Sequence, residues 1–509
     1  MTSTATLAWF ARHELTLAWR DWVAMMSGGR TVREHAITIG TLVFVGLLHW
    51  LAYAILSPIL ANGVIEDKAT LVLLTAMLLA AFSMILSQSI EQVTRAFYAR
   101  ADLDLILSSP AASQHLFAVR IGAVAFAGTA MTSLLAAPFI NMAAYISGGK
   151  WLGAYLVIAA LSMIATAISV VGAIALFKAF GPKRTRTIAQ IIAAVVGAAL
   201  LIGLQVAAIL AYGNLSRFTV LRSEAMIGAA PDPASVAWLP AKALLGEPLS
   251  LIALVIFATA ILAAAIAYHA GEFANHAVAA ASSAENTNKR SSRKTNYKHR
   301  TMAQALRAKE WILLRRDPWL ASQTLMQVLY LLPPALLLWR DMGPNTQVDV
   351  ILAPVLVMAF GQLAGGLAWL AISGEDAPEL VATAPLNANA VLRAKIEAVL
   401  AVIAVCACPF ILGLTIISVV SAGMTSLGIV AASCSAIAIQ LWFKTAAKRS
   451  QFRRRQTASR AATFAEAFSS IFWAAACGFA VAGYVLAAAI FIIFALGTMA
   501  IARAISPRG

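Results

Sequence analysis

Long apolar runs alternate with short polar segments along the whole chain. A helix that spans a bilayer needs about 20 predominantly apolar residues. Twelve runs approach or exceed this length, at residues 36–60, 69–89, 120–144, 151–177, 188–212, 250–269, 320–339, 350–372, 396–420, 426–443, 465–484 and 486–505. The pattern predicts an all-α polytopic membrane protein with about 12 transmembrane helices. The last two runs almost adjoin, so residues 465–505 form either two spans or one re-entrant hairpin.

The polar segments indicate that this architecture is repeated. An amphipathic segment at 5–22 precedes the first six runs, and a related segment at 302–319 precedes the second six, with Glu310 in the place of Glu14. We call these segments the leading helices, and expect each to lie at the membrane interface. The predicted domains are a first half at 1–282, a polar, basic linker at 283–301 and a second half at 302–509.

A second repeated feature lies between the second and third runs of each half. It reads DLDLILSSPAASQHLFAVR at 102–120 and ELVATAPLNANAVLRAK at 379–395. Ser109 and Pro110 favour a helix start, because Ser suits the N-cap and Pro suits the first helical position. The matched positions are Asp104 with Glu379, Leu105 with Leu380, Pro110 with Pro385, and Arg120 with Lys395. Each segment is predicted to be a short helix between two spans, and a plain loop is the alternative.

The basic residues predict the orientation. If the N-terminus is cytoplasmic, 32 of the 38 Lys and Arg residues fall on the cytoplasmic side of the predicted spans. Such an excess follows the positive-inside rule. Both termini, both leading helices and both repeated segments are therefore expected in the cytoplasm. The net charge of +16 has the same explanation, so we expect no nucleic-acid partner.

Composition and motifs limit the chemistry. The chain is 61% hydrophobic and only 12% charged, which excludes an ordinary soluble protein. It contains no GxxxxGK[ST] loop and no HExxH motif, so it cannot by itself hydrolyse ATP in the P-loop manner. Its four cysteines fall inside predicted spans without metal-site spacing, as expected for ordinary buried thiols. We therefore expect no enzyme activity, no metal and no cofactor in this chain.

Polar residues within the spans are mostly neutral. No Asp, Glu, Lys or Arg lies near the middle of a predicted span, which counts against an ion-coupled carrier. Ser87, Gln205 and Gln362 are among the neutral polar residues, for which hydrogen bonds between helices are the simplest role. His49 lies well inside a span, as a hydrogen-bonded core residue or a pathway residue rather than a metal ligand.

The order of leading helix, two spans, a cytoplasmic helix with the sequence DLDLILSSP and four more spans resembles the permease half of a type-2, ABCG-like ABC exporter. The phrases FYARADLDLILSSP and SGEDAPELVATAP are similar to those of large bacterial members with two fused halves. The resemblance implies a multi-pass permease of the bacterial inner membrane, energised by separate ATP-binding cassette ATPase subunits that hold ATP and Mg. The coupling helices would lie near 102–120 and 379–395. The residues that would dock on the ATPase are Asp102, Asp104, Leu105, Ser109, Pro110, Glu379, Leu380 and Pro385.

The resemblance also implies that the second and fifth spans of each half face one another across a central path. Ser87, Gln205 and Gln362 are then candidates for lining this path. The transported substrate stays unknown, although the neutral apolar spans suit an amphipathic or lipid-like cargo, and membrane lipids are the other expected partner. A secondary transporter with internal repeats and a non-transport polytopic protein remain open. The external loop at 213–249 has no counterpart between the last two spans of the second half.

Overall fold

The computed structural model describes residues 12, 16, 34–61, 67–98, 113–213, 216–271, 301–316, 318–340, 348–373, 381, 383–443 and 460–506. In this part of the chain every regular element is a helix. Ten helices are long and apolar enough to cross a membrane. The all-α, multi-pass membrane class is therefore confirmed, while the count of twelve spans and the internal repeat stay predictions.

The described residues divide into two compact units. One lies within residues 1–204 and 216–293, and the other within 205–215 and 294–509. The first unit contains α1 (Glu34–Leu60), α2 (Lys68–Tyr98), α3 (Ser113–Ser147), a 3₁₀ turn (Gly149–Gly153), most of α4 (Ala154–Tyr212), α5 (Arg217–Leu221), α6 (Glu224–Ala229), a 3₁₀ turn (Val236–Trp238), α7 (Leu239–Leu245) and α8 (Pro248–His269).

The second unit contains the leading helix of the second half and the helices that follow it. These are α9 (Met302–Arg316), α10 (Pro318–Arg340), α11 (Val348–Ser373), α12 (Ala388–Ile417), α13 (Val419–Trp442), α14 (Arg460–Val481) and α15 (Val485–Ile505). The first and seventh predicted runs are helical, as α1 and α10, but they are not among the ten candidate spans. α14 and α15 are each long enough to cross a membrane, with the turn between them at Gly483, whose φ is 87°.

The fourth and fifth predicted spans form one helix with a single break. The sequence predicts a basic loop at 178–187, whereas α4 is helical on both sides of Gly181, which has φ 69° and ψ 169°. Only glycine adopts this conformation readily, and Pro182 after it suits the first position of a new helical segment. A break at one residue therefore takes the place of the ten-residue loop that the sequence predicts.

Residues 216–249 of the predicted external loop at 213–249 form a structured segment that packs on the helix ends of the first unit. The indole of Trp238 is buried, and its Nε1–H donates to the carbonyl oxygen of Asp232 at 3.0 Å. The Asp232 carboxylate lies 3.3 Å from the Lys68 ammonium at the start of α2. Trp238 shares an apolar cluster with Leu71 and Trp151. These contacts fix the segment to the ends of the spans.

The core of the second unit surrounds α11. Leu356, Val357 and Phe360 of this helix are completely buried, and α11 packs against both α13 and α14. Glycines permit the close approach, because a Cβ added at Gly428 would lie 2.8 Å from Val357. A Cβ at Gly478 would lie 3.2 Å from Pro354. Small residues have this role in membrane helix packing, where lipid provides no hydrophobic drive between helices.

All four cysteines are free thiols within helices. Cys477 is buried and Cys406 is half-buried, but Cys408 and Cys434 are exposed on their helices. The prediction of four buried thiols is therefore wrong for two of them. The reason is that an apolar run does not show which of its faces turns towards other helices.

Candidate functional site

The predicted coupling residues fall largely outside the part of the chain that the structure describes. This applies to Asp102, Asp104, Leu105, Ser109, Pro110, Glu379 and Leu380. Pro385 is described and exposed, and it lies three residues before the start of α12. Asn387 caps that helix, since its side-chain oxygen accepts a hydrogen bond from the Asn389 N–H. The docking role of these residues stays a prediction.

The C-terminal parts of both repeated segments belong to long helices. The described part of α3 starts at Ser113, within the predicted segment 102–120, and runs for 35 residues. α12 begins at Ala388, within 379–395, and continues for 30 residues. Residues 113–120 and 388–395 are thus continuous with span helices and not separate short helices. A force applied to these turns would be transmitted along the span.

A buried ion pair joins the leading helix of the second half to α12. The Lys395 Nζ lies 3.0 Å from both carboxylate oxygens of Glu310 on α9, and it also donates to the carbonyl oxygen of Ala371 at 2.6 Å. The side chain of Glu310 is 1% exposed and that of Lys395 is 12% exposed. The ammonium therefore ties together α9, α12 and the last turns of α11. We call Glu310, Lys395 and Ala371 the joint.

A second, exposed ion pair lies one turn away from the joint. Arg307 Nε donates to the Glu397 carboxylate at 2.6 Å, and their side chains are 55% and 38% exposed. This hydrogen bond raises the pKa of Arg307. Water screens such a pair strongly, so it stabilises the structure little. The joint, which is shielded from water, is the stronger attachment between α9 and α12.

The three candidate pathway residues are all half-buried. Ser87 on α2 packs on Gly197 of α4, where an added Cβ would lie 3.0 Å from the Ser87 hydroxyl oxygen. This places the second and fifth predicted spans of the first half in contact. Gln205 belongs to the second compact unit, as does Gln362 on α11. A shared pathway lined by the three residues stays a prediction.

His49 takes part in a polar cluster of the first unit. Its Nδ1 lies 2.8 Å from the Val45 carbonyl oxygen, and its Nε2 lies 3.3 Å from the Asn141 amide nitrogen. The Tyr155 hydroxyl donates to the Asn141 side-chain oxygen at 2.9 Å. Both ring nitrogens of His49 therefore have partners, on α1 and α3, and Asn141 extends the cluster to Tyr155 on α4. This is the hydrogen-bonded role expected for His49.

The second unit also contains a carboxylate that sequence reasoning missed. Glu466 on α14 is 8% exposed, and it accepts a hydrogen bond from the Gln440 amide nitrogen of α13 at 2.6 Å. Its carboxyl group fills the space beside Gly365 of α11. Glu466 is only the second residue of the predicted run 465–484, so the sequence alone suggests an exposed charge at the membrane boundary. The available signal in the sequence was Gly365, four residues after Gly361 on the facing helix α11, because two glycines one turn apart leave space for a neighbouring side chain.

Among the described residues there is no group of three or more His, Cys, Asp or Glu side chains that could hold a metal ion. The comparisons with known proteins add no assignment: no family model, no curated protein and no solved structure matches the chain significantly.

Proposed function

We propose that the chain is the membrane-spanning permease subunit of an ATP-driven ABC transporter, an exporter of the bacterial inner membrane. The ten span-length helices and the strong asymmetry of basic residues suit a multi-pass permease with cytoplasmic termini. The sequence has no phosphate-binding loop. Energy would therefore come from separate ATP-binding cassette subunits that dock on the coupling helices near 102–120 and 379–395.

The joint is the observation that carries this proposal. A buried, multiply hydrogen-bonded ion pair resists separation far more than an exposed pair does. Because Lys395 belongs to the predicted coupling segment and Glu310 to the leading helix, a push on this segment would move α9, α11 and α12 together. A passive loop between spans needs no such attachment, whereas a lever driven by a cytoplasmic motor does.

The docking test uses the two matched leucines. Leu105→Ala combined with Leu380→Ala should weaken binding of the ATPase subunit by about 1–2 kcal/mol or more per anchor, because truncation of a buried interface anchor leaves its pocket unfilled. Each single variant should retain partial activity, since two docking sites share the load. Asp104 and Glu379 would be rim charges with smaller effects.

The measurement is a pull-down with this chain as bait, in which a bound ATP-binding cassette subunit is identified, with ATP hydrolysis by the complex followed in parallel. Asp104→Asn serves as the matched control for a rim position. The coupling assignment is rejected if the double leucine variant binds the ATPase and supports hydrolysis as the wild type does, while remaining folded in the membrane.

A secondary transporter with internal repeats is the second candidate, and Glu466 favours it. Ionisable groups within the membrane are rare, and they frequently mark proton or ion routes. The two functions separate in one experiment, because transport by an ABC permease stops when the partner ATPase cannot hydrolyse ATP. Transport that persists without hydrolysis and follows an ion gradient would favour the second candidate.

A further inference from the structure

The environment of Glu466 is a three-helix contact made close by glycines. α11, α13 and α14 pack against one another. A Cβ added at Gly361 would lie 2.8 Å from the Ser470 hydroxyl oxygen and 3.1 Å from the Ala432 methyl group. One turn further along α11, a Cβ at Gly365 would overlap the Glu466 carboxyl group. The carboxyl group is therefore held directly against the α11 backbone.

The hydrogen bonding around Glu466 is incomplete. Its described hydrogen bond comes from the Gln440 amide and involves one of the two carboxyl oxygens. Ser469 and Ser470 follow on the same side of α14, one turn away, and each is 1% exposed. Their hydroxyl oxygens, like that of Ser433 on α13, have no hydrogen-bond partner among the described residues. Buried hydroxyl groups without partners are uncommon, and here they follow an acidic group along one helix contact.

Among the described side chains no cation compensates the Glu466 charge, because none of their Lys, Arg or His nitrogens lies within 4.0 Å of its carboxylate. The titratable side chains of the helices that pack against it, and of α14 itself, are Asp349, Cys434, Arg460, Cys477 and Arg503. Asp349 lies at the opposite end of α11, where it accepts a hydrogen bond from Ser421 at 2.6 Å.

Of the other groups, the side chain of Arg460 lies outside the described part of the structure, and the rest have other contacts or carry no charge. The Arg503 guanidinium lies over the Trp442 ring, 5.3 Å from its centroid. The Cys477 thiol donates to the Met424 carbonyl oxygen, and Cys434 is exposed on its helix. Lys395, the nearest basic residue of α12 to the end of α11, is held by Glu310 and Ala371. Among the side chains that the structure describes, an ionised Glu466 would thus be a buried charge without a counter-ion.

We propose that Glu466 is a proton-binding site, occupied at neutral pH, and that its proton is what permits the close contact between α11 and α14. An unpaired charge in an apolar interior is costly, and the group takes up a proton instead. The balance is simple: a carboxylate oxygen and a proton from water form one O–H bond, with no redox change.

The geometry favours a proton over a metal cation. A bound cation needs several oxygen ligands and space between them. The Glu466 carboxyl group lies against Gly365 with no room for a side-chain carbon between them, and Glu466 is the one carboxylate of this contact. The proposal does not depend on the transporter class: it adds a proton-dependent contact to an ABC permease and would supply the coupling proton of a secondary carrier.

Infrared difference spectroscopy of the full-length chain in lipid nanodiscs tests this proposal, because a protonated carboxyl group has a C=O stretch that the carboxylate lacks. The wild type should show this band at neutral pH and lose it as the pH rises. Glu466→Gln should abolish the band, and Glu397→Gln, which alters a partly exposed, paired glutamate, should keep it. Glutamine has nearly the shape of neutral glutamic acid, so Glu466→Gln should also fold with a melting temperature near that of the wild type.

Two further measurements distinguish the alternatives. Gln440→Met retains the carboxyl group but removes its hydrogen-bond donor, so the band should move to higher wavenumber, even if Glu466→Gln proves unstable. Addition of sodium at constant pH should leave the band unchanged. The proposal is overturned if no band at neutral pH depends on Glu466, or if the wavenumber of the band is the same in Gln440→Met as in the wild type. It is also overturned if sodium alone removes the band.

Discussion

The buried ion pair of the joint makes a quantitative prediction about how the leading helix is attached. The perturbations are Lys395→Met, Glu310→Gln and the two combined. Lys395→Met removes three hydrogen bonds and leaves the Glu310 carboxylate buried, with Lys309 at 3.5 Å as the remaining cation. Removing one partner of a buried pair typically costs 3–5 kcal/mol. Because Lys309 compensates in part, we expect about 3 kcal/mol.

Glu310→Gln should destabilise the chain less. The Lys395 ammonium then retains the Ala371 carbonyl, and the glutamine oxygen can still accept a hydrogen bond. We expect a loss of about 2 kcal/mol, as for a charged group with a weakened partner. The double variant leaves no uncompensated charge, so its loss should be near 3 kcal/mol, about 2 kcal/mol less than the sum of the single losses.

The assay is reversible unfolding of the full-length chain by a denaturing detergent in mixed micelles, followed by tryptophan fluorescence. Arg307→Met and Glu397→Gln are the matched controls, since they break an ion pair between the same two helices whose side chains are 55% and 38% exposed. These variants should have small, salt-dependent effects. Additive effects of the joint variants within about 0.5 kcal/mol, or an equal loss of stability from breaking the exposed pair, would refute the buried attachment.

Two further predictions concern topology and the α11–α14 contact. A cysteine introduced at Thr295 should be labelled only from the cytoplasm and one at Ala229 only from outside, and the reverse pattern would discard the predicted orientation. Gly365→Ala should lower the free energy of unfolding by about 1–3 kcal/mol, because its methyl group must displace the Glu466 carboxyl group. Gly366→Ala, whose Cβ meets nothing within 4 Å, should be neutral or slightly stabilising in the same assay, and equal effects of the two would contradict the described contact.

The sequence alone determines the class of this protein and the approximate place of its helices. Hydropathy is a local property, and the bilayer sets the length of an apolar run that can cross it. For this reason the predicted run 350–372 agrees closely with α11, and 486–505 agrees with α15. Helix ends agree less closely: α12 begins eight residues before the predicted run at 396. Polar first turns such as 388–395 extend a span beyond its apolar part.

The break within α4 shows what local patterns leave open. The sequence RTRT and its neighbours contain no apolar run, so residues 178–187 were predicted as a loop. A helix needs no apolar residues to continue once its backbone hydrogen bonds are formed. The single glycine with a positive φ then decides where the direction changes. Hydropathy predicts where a chain can lie in lipid, and it does not predict where a helix must end.

The partners of individual side chains were decided only by the tertiary structure. Glu310 and Lys395 are 85 residues apart, and Glu466 and Gln440 are 26 apart on two different helices. In the sequence Glu310, Lys395 and Glu466 each look like a solvated charged group at the edge of a span. Their burial depends on which helix faces meet. For Glu466 the glycines of α11 allow the burial, because they leave space for a carboxyl group that any larger residue would exclude. An apolar run carries almost no information on such faces, because lipid and protein interior are equally apolar.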